Sequence, residues 1–289
     1  MPLTLDREGL AAQTNPLGLE GIEFVEYRTP RPQALGQLLE SVGFRPVARH
    51  RSREVLLYRQ GAMNIVIDAH GLPPGTADTP TIAAVALRVR DAAAATARVV
   101  GLGAWPVPVS VQPMELHIPA VHGVGSSRIY FVDRWREFSI YDVDFVPIPT
   151  VDRQVPALAG LHWFGLVQYI GADRTAEWSE FYASLFGFSV QPAEQRFGVL
   201  PTGRILQSPC GSFWLQLIEP EPDSEDPAAD ESWQRVAFGA PDVAAASREW
   251  RARGVAFVDG PAGGASGRGA LTQPRLGGVM FELVQHALS

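Results

Sequence analysis

The chain repeats itself, and the repeat limits its architecture more than any other feature. Ala34, Leu35, Leu38, Leu39 and Val42 recur at helical spacing and lead into Gly43 and Phe44. Trp178, Phe181, Tyr182, Leu185 and Phe186 do the same ahead of Gly187 and Phe188, so equivalent helix ends lie 144 residues apart in a chain of 289. Each helix follows a strand-like run, "GIEFVEY" in the first half and "WFGLVQY" in the second. Each precedes further β-rich segments: "EVLLYR" and "NIVIDA", then "SFWLQLIE".

Later in each half a strand runs into an alanine-rich helix, "AAVALRVRDAAAATARVVGLGA" from Ala83 and "QRVAFGAPDVAAASREWRARGV" from Gln234. The first half closes on "RIYFVD" and "SIYDVDFV", both read as strands, and the second on "GVMFELVQ". The pattern predicts an α+β chain of four βαβββ units in two modules, residues 1–150 and 151–289, each pair of units forming a cupped mixed sheet. The junction "VPIPTVDRQVPALAG", with three prolines and a final glycine, suits a linker. "EPEPDSEDPAADES" reads as a solvated acidic loop, and "GPAGGASGRG" as a flexible connection without the ending of a phosphate-binding loop.

With 46% hydrophobic residues the chain can build a core for two modules of ordinary size. A net charge of −7 argues against nucleic acid or an anionic membrane surface as partner, because both require concentrated Lys and Arg. No apolar run approaches the roughly 20 residues of a membrane span. The opening "MPLTLDREGLAAQTNPLG" lacks a basic segment followed by an apolar one, and a cytoplasmic location is expected. The single cysteine, Cys210, has no second thiol to pair with and lies in a turn signal, "SPCGSF", without a nearby histidine.

Glu282, in the middle of the apolar run "GVMFELVQ", raises the chemical question. A carboxylate taken out of water needs a partner, either a cation or a metal ion. Four βαβββ units with cupped sheets resemble the vicinal-oxygen-chelate superfamily. The segments "NPLGLEGIEFVEYRTP", "HRSREVLLYRQGAMNIVID", "PMELHIPAVHGVG" and "IYFVDRW" resemble the first module of the 4-hydroxyphenylpyruvate dioxygenase family. "EWSEFYASLFGF", "LQSPCGSFWLQLIEP", "QRVAF" and "GGVMFELVQ" are similar to its second, catalytic module, in looser form.

The resemblance implies aromatic amino acid metabolism and an Fe(II) held by two histidines and a glutamate from three strands, with open positions for an α-keto acid and oxygen. Carried over residue by residue, the glutamate falls on Glu282, but one histidine falls on Arg235 of "QRVAF" and the other on Gly165 of "HWFGLVQY". Arginine stays protonated and offers only donors, so it would repel a metal ion. The expectation is that no family-type iron is bound, that Arg235 and Glu282 pair with each other or Arg235 instead grips an anionic ligand, and that both form the centre of any site. The resemblance also implies a helix beyond the glutamate strand, whereas this chain stops seven residues after Glu282.

Gln168, Ser208, Gln216 and Gln273 are candidate substrate-contacting residues, the last three by position in the resemblance. His162, three positions before Gly165, should face away from the site because strand side chains alternate, unless a bulge intervenes. His50, His117 and His122 are read as structural or surface residues, and His70 and His286 as solvated. A first-module metal site from Glu23 or Glu26 with His117 or His122 is the alternative considered for them.

Three functions remain open at this point. The first is a diverged family member with a second-module pocket for a small aromatic or keto acid, and with metal-independent acid/base chemistry at Glu282 if it is an enzyme. The second is an active Fe(II) dioxygenase that uses Glu282 with His162 or Gln168. The third is a noncatalytic ligand-binding or partner protein that assembles with itself through its sheet edges.

Overall fold

An antiparallel strand pair lies at the centre of each half, and everything else is added outward from it. The computed structural model describes residues 14–73, 75–108, 116–192, 194–195, 198–199, 203–220, 231–258 and 267–288. Most of the acidic loop and most of the glycine-rich connection near residue 262 lie outside the described residues.

In the first half the elements are β1 (Leu19–Arg28), α1 (Pro32–Ser41), β2 (Arg45–His50), β3 (Val55–Gln60), β4 (Met63–Asp68), β5 (Thr81–Val89), α2 (Ala92–Gly101), β6 (Ala120–His122), β7 (Arg128–Val132), α3 (Ile140–Asp144) and β8 (Phe145–Pro147). The sheet order is β6-β7-β5-β1-β4-β3-β2-β8. The crossover helices α1 and α2 allow β1 to pair in parallel with β4, and β5 with β7. β1 and β5 join the two units antiparallel.

The second half repeats this with β9 (His162–Tyr169), α4 (Thr175–Phe186), β10 (Ser189–Val190), β11 (Arg204–Gln207), β12 (Trp214–Ile218), β13 (Ser232–Ala240), α5 (Val243–Ala252), β14 (Gly269–Leu271) and β15 (Phe281–Gln285), in the order β10-β11-β12-β9-β13-β15-β14. Here β9 and β13 are the central antiparallel pair, flanked by their parallel partners β12 and β15.

The alanine-rich helices begin where the sequence places an aspartate. Asp91 accepts the Ala94 N–H and Asp242 the Ala245 N–H, both at 2.9 Å, which satisfies donors left open in a first turn. α4 ends at Gly187, whose φ of 78° is the left-handed cap conformation.

"SIYDVDFV" departs from its strand reading. Asp142 accepts both the backbone N–H and the hydroxyl of Ser139 at 2.9 Å, so the segment starts a short helix, α3, and only Phe145–Pro147 remain extended. β8 then pairs with β2, at the opposite edge of the sheet from β6.

The largest apolar cluster lies behind the sheets and is shared by both halves. Leu35, Leu39 and Val99 from the first-half helices and Tyr182, Phe186 and Trp250 from the second bury into it. Phe44 meets Phe238 at 5.9 Å and Phe131 stacks on Phe186 at 6.2 Å. Smaller clusters line the other face of each sheet: Phe24, Leu57, Val66 and Tyr141 in the first cup, and Phe164, Ile205, Trp214, Ala237 and Val284 in the second.

Candidate functional site

Alternation along two parallel strands builds the centre of the second cup. On β15, Phe281 and Leu283 enter the shared core, which turns Glu282 and Val284 to the cup. On β13, Val236 and Phe238 enter the core, so Arg235 and Ala237 project the other way. The two strands run in register with Ala237 opposite Glu282, which brings Arg235 within reach of the carboxylate.

Arg235 Nε donates to Glu282 Oε2 at 2.9 Å, and the residues are only 1% and 2% exposed. Glu282 Oε1 accepts the Val199 N–H at 3.1 Å. The chain approaches here through Gly198, where a Cβ would collide with that same carboxylate oxygen. Arg235 Nη1 donates to Gln234 Oε1 at 2.8 Å, while Nη2 is buried without a partner among the described residues. The cavity beside the pair, lined by Gln216, Phe164, Trp214 and Ile205, measures about 20 Å³, which is room for about one water.

The position opposite the pair is closed to any side chain. Gly165 lies in the ladder row with Ala237 and Glu282, and a Cβ on it would run into the Trp214 carbonyl oxygen of the neighbouring strand. β9 bulges here: Ala237 pairs with Gly165 and Phe238 with Trp163, leaving Phe164 out of register.

The bulge also corrects the facing expected of His162. Phe164 lines the cup, and His162, two residues before it on the same face, joins the cup's aromatic floor. Its Nε2 is 2.8 Å from His286 Nδ1, and the His286 ring sits edge-on to Phe164 and Trp214. His286 is therefore half-buried rather than solvated. Burial lowers the pKa of both imidazoles, and in His286 the neighbouring His162 adds to the shift. Sequence reasoning missed this pair because its members are 124 residues apart.

Three other candidates are placed elsewhere. Gln168 points away from the cup to α4, where its Oε1 accepts the Tyr182 hydroxyl at 2.5 Å, because the bulge reverses the parity of β9 beyond Gly165. The Ser208 hydroxyl is used within its own turn, accepting the Phe213 N–H and lying 3.3 Å from the Cys210 thiol. Gln273 is exposed on the strand-connecting turn, with its backbone N–H on Ala256. Arg235, Glu282 and Gln216 are the candidates that meet in the cup.

An Fe(II) ion of the facial-triad type would find one carboxylate here, already shared between a guanidinium and a backbone N–H. In the register that the resemblance implies, it would meet the guanidinium of Arg235 at a second position, and at a third Gly165, which has no space for a side chain. The donor set does not fit. Among the described residues no group of three or more His, Cys, Asp or Glu side chains is placed to hold a metal. In the first module, Glu23 bonds Arg88 and Asn64, while Glu26 bonds Arg128.

Cupped mixed sheets built from paired βαβ units define a vicinal-oxygen-chelate protein, and comparison with known proteins narrows this. Residues 13–146 match the model of the hydroxyphenylpyruvate dioxygenase N-terminal domain, and residues 160–283 that of the glyoxalase/bleomycin resistance protein/dioxygenase superfamily. A 4-hydroxyphenylpyruvate dioxygenase from Pseudomonas aeruginosa is 32% identical over 86% of this chain and 74% of its own length. Hemolysin VllY from Vibrio vulnificus is 34% identical over the same shares. The chain belongs to the 4-hydroxyphenylpyruvate dioxygenase family.

The match to another 4-hydroxyphenylpyruvate dioxygenase, from a Pseudomonas strain, is 42% identical but spans 60% of this chain and half of that protein. Among solved structures, a fusion of a xylose isomerase-like TIM barrel with a 4-hydroxyphenylpyruvate dioxygenase is 26% identical with a TM-score of 0.73, over 92% of this chain and 49% of the fusion. A mutant of 4-hydroxymandelate synthase from Streptomyces coelicolor shares the fold, with a TM-score of 0.75 over 93% of both chains at 18% identity. No helix among the described residues is long and apolar enough to cross a membrane.

Proposed function

We propose that this chain is a 4-hydroxyphenylpyruvate dioxygenase-like protein that has given up the iron-dependent oxygenation associated with its family, and that its second cup serves as a small-acid site centred on Arg235. The supporting observation is the buried Arg235–Glu282 pair, which supplies to the carboxylate the positive charge that a metal would otherwise provide. The unpartnered Nη2 is a donor suited to a carboxylate. The space beside it is small, so an entering acid replaces Gln234 as the acceptor on the guanidinium.

Anaerobic reconstitution with Fe(II), followed by metal analysis and oxygen-uptake assays on 4-hydroxyphenylpyruvate, tests the proposal. Substoichiometric iron and no uptake are expected. One tightly held iron per chain with substrate-dependent oxygen consumption would refute it.

A further inference from the structure

The two cups differ in what they leave open. Beside Glu282 about 20 Å³ remains, whereas the first cup encloses about 230 Å³. An apolar cavity of about 150 Å³ accepts benzene, so the first cup has room for one aromatic ring with a short polar substituent.

Its walls suit such a ring. Phe24 and Tyr130 face the cavity with centroids 5.9 Å apart, and Phe145 lines the side formed by β8. At the base Arg128 Nη2 bonds Glu26 Oε1 at 2.6 Å, with the guanidinium 5.5 Å from the Tyr130 ring centroid.

Arg53 and Arg128 line the cup with Glu26, Asp68 and Asp144, and the donors that Arg128 keeps beyond Glu26 suit an anion. Each acid on the lining already accepts hydrogen bonds: Glu26 from Arg128, Asp68 from the His70 N–H at 2.8 Å, and Asp144 from the Leu116 N–H at 3.1 Å. Arg128 carries five donors, gives one to Glu26, and keeps a side chain 29% exposed. The Tyr130 hydroxyl stays protonated at neutral pH, its pKa pushed up to about 12 by burial, and so offers a further donor.

We propose that the first-module cup is a binding site for a small aromatic carboxylate, with the ring between Phe24, Tyr130 and Phe145 and the carboxylate on Arg128. The site stands independently of the reading given to the second cup.

Titration calorimetry of the full chain with phenylacetate and with 2-phenylethylamine compares one ring carrying opposite charges. Saturable 1:1 binding of phenylacetate is expected, with the amine at least about tenfold weaker, the ratio for losing one hydrogen bond to a charged group. Crystals soaked with 4-bromophenylacetate should show anomalous bromine signal in the first cup. Arg128→Gln should weaken phenylacetate about tenfold or more. Because that change strands Glu26, the double variant E26Q/R128Q, which keeps a neutral hydrogen-bonding pair, should show the same loss with an unchanged near-UV spectrum.

Absence of phenylacetate binding, equal binding of the amine, or undiminished affinity in both variants would overturn the proposal. Bromine beside Arg235 would also overturn it, while supporting an acid site in the second cup.

Discussion

Arg235 and Glu282 stand on neighbouring parallel strands and share a hydrogen bond of 2.9 Å in a region almost sealed from solvent. The pair decides the character of the second cup. Its two charges are neutralised internally, and each is costly without the other.

Removing one member should therefore destabilise more than removing both. Glu282→Leu or Arg235→Met leaves an uncompensated buried charge and is expected to lower unfolding free energy by about 3–5 kcal/mol. The double variant R235M/E282L should recover most of that loss, because an apolar pair of similar volume avoids the desolvation cost. Urea denaturation of the four proteins measures the cycle; additive single effects would show that the residues do not act as a pair.

Gly165 predicts a steric result. Gly165→Ala drives a Cβ into the Trp214 carbonyl oxygen, so a loss of about 1–3 kcal/mol is expected, as for overpacking in a filled interior. Gly165→His should be worse still and should not create metal affinity even with Arg235→His. Tight stoichiometric binding of Co(II) by that double variant, followed by visible absorption, would show that the bulge yields.

The His162–His286 pair predicts a pH dependence. Both folded-state pKa values lie below the ordinary 6.5, so the unfolded chain takes up protons more readily than the native one as the pH falls. The contribution is fully present above about pH 6.5 and is lost as the pH falls through 6.5 toward the lowered folded values. His286→Gln should flatten the urea midpoint between pH 7 and pH 5.5 relative to the parent; an unchanged slope would remove the pair from this role.

The helix starts offer a milder test. Asp91→Ala and Asp242→Ala each remove a side-chain bond to an N-terminal amide and should cost about 1 kcal/mol apiece. Calorimetric unfolding of the two single variants and the double checks both size and additivity.

The repeat of helix ends near Gly43 and Gly187, the strands entering alanine-rich helices and the family resemblance were all legible in the residues, because periods of 3.6 and 2 are local properties of a chain. So was the pairing of Arg235 with Glu282, because a guanidinium carries its charge in any surroundings and a carboxylate taken out of water needs a partner.

Which face each β9 residue presents was not legible. One bulge at Phe164 and Gly165 turned His162 into the cup and Gln168 out of it, and a bulge is a property of how strands pair rather than of either strand alone. The filled second cup, the open first cup and the meeting of His162 with His286 likewise depend on segments far apart in sequence. Residue types determined the charges and the elements; only the tertiary register decided which of them share a cavity, because a shift of one position in a strand exchanges its inward and outward side chains.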